Sequence, residues 1–247
     1  MVIDFCVFCH SFQRRLCWQL SSICQQEGRV AEIVVNIASL RENGKPTTEE
    51  VIEEFRGHGL LIRHQLYENQ DDVARRGYVR NRQIAESSKD WIYFADADRV
   101  YSVDTFAELS VSLSKEIMDG RCNFTRAVAH TEIEAANALV EQTSELYIEN
   151  AFERANELPK GPFRDRGVAT GGMQIAHYET IERLCKGTYV EWGTSRDNHL
   201  FRQSQKARSD IQFRKRLRGS RQICAGRQIH LNHFRDKTLG YHLEAQR

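Results

Sequence analysis

The sequence lacks long apolar runs, is poor in proline and has no low-complexity segment. No stretch approaches the ~20 apolar residues that a membrane-spanning helix needs. With only 3 prolines in 247 residues, no linker between domains is evident. A hydrophobic fraction of 40% is sufficient for a substantial core. We therefore expect one α/β domain that covers residues 1–247.

A second closely spaced pair of cysteines is also lacking. The seven cysteines are odd in number, and Cys6-x-x-Cys9 has no second pair at zinc-ligand spacing, which argues against a redox or zinc motif. The first residues show no charged n-region, long apolar h-region or cleavage site. We expect free thiols in a reducing, cytoplasmic setting.

Apolar runs alternate with helical patterns at the start of the chain. Strands are predicted at 2–8, 30–38 and 60–66, with helices at 10–26 and 47–55, the second capped by Thr47 or Thr48. Such alternation is typical of a mostly parallel central sheet flanked by helices. The ends of the first two strands, with His10 and Asn36, would line a crevice where a nucleotide base binds.

A different helix signal follows a strand predicted at 122–129. Thr131 and Glu134 have the spacing of a capping box, in which a threonine and a glutamate side chain satisfy each other's backbone N–H groups. This signal predicts a long helix that runs to about Leu158, with an apolar stripe that belongs to the core.

The most informative stretch is a buried strand predicted at 91–94 that ends in Asp96-x-Asp98. In an extended segment these two carboxylates point the same way and could face a divalent cation together with the phosphates that it carries. Acids at the carboxyl end of a central strand occupy the usual ligand-binding edge of an open α/β sheet. A polar loop after a strand is the alternative interpretation.

Arg80-Asn81 followed by Asp96-x-Asp98 resembles the central signature of nucleotide-sugar glycosyltransferases of the GT-A fold, family two in particular. The resemblance implies a Rossmann-like GT-A sheet with Mn²⁺ or Mg²⁺ held by Asp98 against the diphosphate of a nucleotide sugar, for which a UDP-sugar is favoured. It also implies donor contacts from Asp96, Arg80 and Arg82. Residues 1–101 would form the nucleotide-sugar half and 102–247 the acceptor half.

Two further segments extend this resemblance toward the catalytic base. Gly171 and Gly172 precede a predicted strand, and families two and seven place a Gly-Gly pair before their catalytic acidic segment. After a predicted helix, segment 189–202 with its Trp192-Gly193 pair is similar to the Trp-Gly-x-Glu-Asp stretch of the β-1,4-galactosyltransferases. The implied base is Asp197, with Glu191 as the alternative because Arg196 stands where the family has an acid. A single base implies inversion at the sugar.

The last motif is His230-x-x-His233, in a segment that resembles the part of the galactosyltransferases where a histidine completes the metal site. Imidazole is an acceptable Mn²⁺ ligand beside carboxylate and phosphate oxygens. The resemblance implies His233 as a metal ligand ahead of His230. It covers roughly residues 77–237 as short motifs in the same order.

The charge distribution bears on the acceptor. Residues 1–201 carry 23 Lys and Arg against 31 Asp and Glu, whereas 202–247 carry 12 against 3. Such a basic segment indicates an anionic partner, namely hydroxymethylated DNA, a lipid-linked phosphate or an acidic glycan.

Two other functions stay open. A nucleic-acid-binding module would explain the charge but not the motifs, and a metal-dependent nucleotidyltransferase would require a glycine-rich phosphate loop that is not seen after the first strand.

Overall fold

The computed structural model describes residues 1–28, 31–41, 45–69, 76–116, 121–165, 173–185 and 221–233. The strands in these ranges are β1 (Val2–Cys9), β2 (Glu32–Leu40), β3 (Leu61–Tyr67), β4 (Trp91–Asp96), β5 (Arg99–Tyr101), β6 (Arg121–His130), β7 (Arg164–Asp165), β8 (Met173–His177) and β9 (Arg221–His230). The helices are α1 (Gln13–Cys24), α2 (Thr48–Gly57), α3 (Arg76–Ala85), α4 (Thr105–Glu116), α5 (Ile133–Gln142), α6 (Ala151–Asn156) and α7 (Tyr178–Cys185).

All of these strands belong to one sheet, in the order β3-β2-β1-β4-β8-β6-β9-β5, with β7 paired to β6. Strands β3, β2, β1 and β4 run parallel to one another. Strand β8 is antiparallel to both β4 and β6, and β9 is parallel to β6 but antiparallel to β5. The predicted α/β class, with a mostly parallel centre flanked by helices, is confirmed.

Side-chain alternation along β1 explains why helices cover both faces of the sheet. Ile3, Phe5 and Val7 enter the larger apolar core, and Cys6 enters a smaller one on the opposite face. Buried residues of α1, α2, α4, α5 and α6 complete the larger core, whereas α3 and α7 cover the other face. The interior of the larger core is aromatic, since the Phe5 ring contacts those of Tyr93 and Tyr101 edge-on at 5.0 and 5.7 Å.

Helix α2 begins as its sequence predicts. Thr47 is the N-cap, and its Oγ1 accepts a hydrogen bond from the Glu50 backbone N–H at 3.1 Å. The Glu50 carboxylate in turn accepts from the Thr47 backbone N–H at 2.8 Å. This reciprocal pair is a complete capping box.

The capping box predicted at Thr131 is wrong. Helix α5 begins after Glu132 without a side-chain cap, because the Thr131 hydroxyl instead donates to the His230 carbonyl at 3.1 Å and accepts from the Asn232 N–H at 3.0 Å. The predicted long helix is wrong as well. It stops at Gln142 with Thr143 extended, and the Arg14 guanidinium donates to the freed Thr143 carbonyl at 2.7 Å.

Among the helices in the described ranges, none combines the length and the apolar character that crossing a membrane would require.

Candidate metal and donor site

The Asp-x-Asp motif lies where β4 ends and the chain turns into β5. Strand β4 stops at Asp96, and Ala97 and Asp98 form a turn before Arg99 resumes extended structure. The expectation of one extended segment that carries both aspartates is therefore wrong. The turn is held from two sides, since the Gln19 side chain of α1 donates to the Asp96 carbonyl at 2.7 Å and the Leu231 N–H donates to the Asp98 carbonyl at 3.0 Å.

Sheet register brings the C-terminal histidines to this turn. In the antiparallel pair β5 and β9, Arg99 lies opposite His230, so the last residue of β9 is beside the first residue after Asp98. In the parallel pair β6 and β9, His130 lies opposite His230, so both strands end together. Neighbouring strands are about 4.8 Å apart, which places these side chains within contact distance.

The Asp98 carboxylate is the centre of the resulting cluster. Its Oδ2 atom lies 2.8 Å from His230 Nε2 and 3.5 Å from His233 Nε2. Asp98 is only 7% exposed. Its Oδ1 atom accepts no hydrogen bond from the described residues, and Arg99 Nε lies 3.5 Å from it. Two imidazoles thus lie beside Oδ2 of one carboxylate, and its Oδ1 atom has no hydrogen-bond donor among the described residues.

Burial and neighbouring charges shift the pKa values of Asp98 and His230. Burial by itself would raise the pKa of Asp98, but His230, His233 and Arg99 together hold it well below its usual value. Burial lowers the pKa of His230, and Arg99 lowers it further, while Asp98 opposes both effects. The lowered pKa of Asp98 favours its carboxylate form, and the lowered pKa of His230 favours its neutral form.

His130 extends the cluster and was not found by sequence reasoning. Its Nδ1 atom lies 2.8 Å from His230 Nδ1, and the two rings meet edge-to-face with centroids 4.7 Å apart. Asn232 Oδ1 lies 3.4 Å from the same His130 nitrogen. No local motif marks His130, because its role depends on the register between β6 and β9.

Helix α1 fixes the segment that carries His233. The Phe12 ring packs edge-on against the His233 ring with centroids 4.7 Å apart. The Arg15 guanidinium donates to the Leu231 and Asn232 carbonyls, each at 3.4 Å, and to the Asn137 side chain. These contacts also escaped the sequence analysis, since they join residues more than 100 positions apart.

Of the two arginines predicted to contact the donor, Arg80 is the one beside the Asp-x-Asp strand. It is 7% exposed, and its guanidinium carbon lies 4.9 Å from the centre of the Phe94 ring. Arg80 and Asp96 line one small pocket at the carboxyl ends of β1 and β4. Gln83 anchors α3 at this edge by donating to the Val7 and Asn36 carbonyls at 3.1 and 3.0 Å.

Arg82 lies on a more open part of α3. Its guanidinium carbon is 5.6 Å from the centre of the Tyr67 ring, at the end of β3, and one of its nitrogens is 3.6 Å from a Glu86 oxygen. The neighbouring Tyr78 ring meets Tyr67 edge-on at 6.4 Å. Arg82 and the two tyrosine rings therefore lie together at the same edge of the sheet.

The two residues predicted to line the base crevice lie in different surroundings. His10 directly follows β1, beside Ser11 with its positive φ of 58°. Asn36 lies inside β2, four residues before the strand ends at Leu40. Its amide is buried and donates to the Asp4 carboxylate at 2.9 Å. The structure therefore brings Asp96 and Asp98 together with His230 and His233, but Asn36 lies apart from them.

Four predicted residues lie outside the described ranges, namely Gly171, Gly172, Glu191 and Asp197. The same is true of 202–220, most of the basic segment.

The donor set suits a divalent cation, although it is not a closed cage. Within the described ranges, no group of three His, Cys, Asp or Glu side chains has the arrangement of a complete metal site. Asp98 nevertheless offers a carboxylate with imidazole nitrogens of His230 and His233 at 2.8 and 3.5 Å from its Oδ2 atom, and its Oδ1 atom accepts no hydrogen bond from the described residues. Carboxylate and imidazole donors fit Mn²⁺, and an open set leaves room for ligands from outside the protein.

No protein-family model matches the sequence. No curated protein matches it either.

Comparison with solved structures identifies similar folds at low sequence identity. Residues 1–349 of S. aureus TarS match with a TM-score of 0.58 at 12% identity, over 92% of this chain and 58% of that one. GalNAc-T7 with UDP, GalNAc and Mn²⁺ matches with a TM-score of 0.56 at 13% identity, over 93% of this chain and 43% of that one. The Pyrobaculum calidifontis mannosyltransferase PcManGT, in complex with GDP-Man and Mn²⁺, matches with a TM-score of 0.51 at 14% identity, over 97% of this chain and 58% of that one.

This chain thus spans less than two thirds of the length of each of these structures. Their shared fold agrees with the mostly parallel central sheet and the flanking helices described above. The chain has the GT-A fold.

Proposed function

We propose that this chain is a metal-dependent glycosyltransferase that moves a sugar from a nucleotide-diphosphate sugar to a hydroxyl acceptor. The observation that carries the proposal is the convergence of Asp98, His230 and His233 at the carboxyl end of β4, within a GT-A fold. Open α/β sheets bind ligands at this edge. An ionised carboxylate beside neutral imidazole is the chemistry that a diphosphate-bound cation requires.

On the donor side, Asp98 and His233 would hold Mn²⁺ or Mg²⁺, with His230 supporting or joining them. When bound, the cation would neutralise the negative charge that develops on the leaving diphosphate. Arg80 borders the pocket of Asp96 and can add positive charge there, while Arg82 lies on the outer part of the same helix. A UDP-sugar is the favoured donor, since TarS has been solved with UDP-GlcNAc and GalNAc-T7 with UDP.

On the acceptor side, Asp197 would take the proton from the attacking hydroxyl, and Glu191 is the alternative base. One base on the face opposite the leaving diphosphate gives in-line displacement and inversion at the anomeric carbon. Gly171 and Gly172 would allow the backbone to approach the donor sugar closely. These assignments rest on the sequence resemblance.

We also propose an anionic acceptor. Residues 202–227 hold nine Lys and Arg with Asp210 as the single acid, and they follow the segment of the proposed base directly. Such a field attracts phosphates or carboxylates. Hydroxymethylated DNA, a lipid-linked phosphate and an acidic glycan all satisfy this requirement, and DNA makes the sharpest test.

The deciding experiment measures donor binding and turnover together. The protein is incubated with Mn²⁺ and, separately, UDP-GlcNAc, UDP-GalNAc, UDP-glucose or GDP-mannose. Thermal unfolding then shows which donor binds, because a ligand specific to the folded state raises the midpoint. Release of nucleoside diphosphate shows which donor is consumed. The proposal predicts stabilisation and release that both disappear in EDTA, and it fails if no nucleotide sugar stabilises the protein at millimolar concentration.

A further inference from the structure

The contact between His130 and His230 joins two ring nitrogens, so it can form only in certain combinations of their tautomers. Their Nδ1 atoms are 2.8 Å apart, so one must carry the proton and the other must accept it. His230 Nε2 faces Asp98 Oδ2 at 2.8 Å on the opposite side of the ring. The His230 ring is thus held at both nitrogens, with His130 as its partner on the side away from Asp98.

A histidine partner can serve His230 in either tautomer. When His230 donates from Nε2 to Asp98, its Nδ1 must accept, and His130 donates. When His230 Nε2 carries a lone pair for a cation, its Nδ1 carries the proton, and His130 accepts. A backbone carbonyl or a carboxylate could only accept. An imidazole therefore keeps the His230 ring in place before and after a cation binds.

The strand ends fix His130 itself. It is the last residue of β6, paired in register with His230 at the end of β9. Asn232 lies 3.4 Å from His130 Nδ1, and the Asn232 amide is anchored by donating to the Thr131 carbonyl at 2.6 Å. Strand pairing, the Thr131 bridge and Asn232 together give the His130 ring a defined position.

We infer that His130 is a positioning residue that orients the His230 imidazole toward Asp98 and so organises the cation site. The inference rests on the proposed function, because it assigns His130 to the metal site of that transferase. His130 acts through His230 and needs no contact with the cation or with the donor. Outer partners of metal-ligating histidines commonly change metal affinity by about 10–100-fold when they are removed.

The test measures Mn²⁺ affinity of the full chain without nucleotide, by titration calorimetry or by the electron paramagnetic resonance signal of free Mn²⁺. His130→Leu should weaken binding by about 10-fold or more. His130→Asn retains a group that can donate or accept near the Nδ1 position, so it should restore most of the affinity. His130→Met fills a similar volume without an N–H donor and with only a weak acceptor, so it should resemble His130→Leu. Exposed His58, at the C-terminal end of α2, supplies the matched control His58→Asn.

A double-mutant cycle separates positioning from a general structural role. Because His130 acts through His230, His130→Leu should cost no further Mn²⁺ affinity in a His230→Ala background. Thermal unfolding in EDTA identifies any variant that fails to fold, and if His130→Leu is such a variant, the comparison of His130→Asn with His130→Met decides. Additive losses in the cycle, or unchanged affinity in His130→Leu, would overturn the inference while wild-type Mn²⁺ binding stands. A wild-type chain that binds no Mn²⁺, even with a nucleotide sugar present, would instead remove the proposed function as well.

Discussion

Asp98 and His230 are 132 positions apart in the sequence, yet Asp98 Oδ2 lies 2.8 Å from His230 Nε2. The end of β9 beside the start of β5 makes this contact possible. His233 Nε2 lies 3.5 Å from the same oxygen, and together with His230 and Arg99 it lowers the pKa of a carboxylate that burial alone would raise. The contact therefore prepares an anionic ligand in the absence of any cation.

The first prediction concerns this carboxylate. Asp98→Asn keeps the size of the side chain but removes its charge, so we expect Mn²⁺ binding and sugar transfer to be lost and not to be restored by excess Mn²⁺. The same loss is expected for Asp98→Ala and for wild type in EDTA. Glu53→Gln, on the surface of α2, is the control for removing one acid. Undiminished transfer in EDTA would exclude a metal from the reaction.

The second prediction is that Asp197 is the general base. Asp197→Asn should lower turnover by about 10²–10⁴-fold, the usual effect of removing a positioned base, while donor affinity measured by calorimetry stays close to wild type. Glu191→Gln provides the comparison, because it removes the alternative acid. If Glu191→Gln has the larger effect on turnover, the base has been assigned to the wrong carboxylate.

Two segments with the same local signature show how far sequence reasoning extends. Thr47-x-x-Glu50 and Thr131-x-x-Glu134 both match a capping box, and only the first one forms. The side chains of Thr47 and Glu50 bond to each other's backbone N–H groups, whereas the Thr131 hydroxyl is taken by His230 and Asn232, about 100 positions away. Local chemistry decides the first case and tertiary contacts decide the second.

The residues of the candidate site also fall into two groups, those marked by a local sequence pattern and those placed by tertiary contacts. Asp98 was predictable because a buried apolar strand that ends in acids is a local pattern, and the His-x-x-His spacing is local too. His130, Phe12 and Arg15 were not predictable, since their contacts depend on strand register and on helix packing across the sheet. The parallel centre of the sheet followed from strand and helix alternation, but the antiparallel insertion of β8 between β4 and β6 did not.

The third prediction tests the capping box of α2. Thr47→Ala removes the hydroxyl that accepts from the Glu50 N–H, so the free energy of unfolding should fall by about 1 kcal/mol. Thr47→Ser keeps an acceptor at the same position and should lie much closer to wild type. Urea denaturation with an unchanged slope measures both values. Equal stability of Thr47→Ala and Thr47→Ser would mean that the hydrogen bond contributes nothing.

The fourth prediction concerns mild acid. Burial lowers the folded-state pKa of both His64 and His230 below the ordinary value of 6.5. As the pH falls, the unfolded chain therefore binds protons before the folded chain does. Stability should be greatest above pH 6.5 and should decline as the pH drops through that value. The decline adds to the one expected at lower pH from Asp98, whose pKa is also lowered.

Urea titrations in EDTA near pH 7.5 and near pH 5.5 measure this decline. His64→Gln removes one of the two titrating groups while leaving a side chain that can still bond the Ser39 hydroxyl, now 2.8 Å from His64 Nε2. It should show a smaller loss of unfolding free energy between the two conditions. Exposed His58→Gln is the matched control. A loss as large in His64→Gln as in wild type would contradict the assignment of His64.

The last prediction addresses the acceptor. If the basic segment binds phosphates, affinity for duplex DNA that contains hydroxymethylated bases should fall steeply with salt, because each neutralised phosphate releases counterions. Neutralising Arg214, Lys215 and Arg216 together should flatten the dependence of log affinity on log salt by roughly one unit for each phosphate that these side chains no longer neutralise. Neutralising the exposed residues Arg41, Arg56 and Lys89 instead removes the same amount of charge outside the basic segment and should leave the slope nearly unchanged.

Transfer assays with the same variants separate the possible acceptors. A DNA acceptor predicts that the Arg214, Lys215 and Arg216 substitution lowers transfer at physiological salt and has less effect at low salt, where wild-type binding is tightest. Absence of DNA binding at low salt would eliminate nucleic acid and leave the lipid-linked phosphate and the acidic glycan. Efficient transfer to a neutral oligosaccharide, unaffected by the triple substitution, would contradict every anionic acceptor, because a neutral acceptor gains nothing from a positive field.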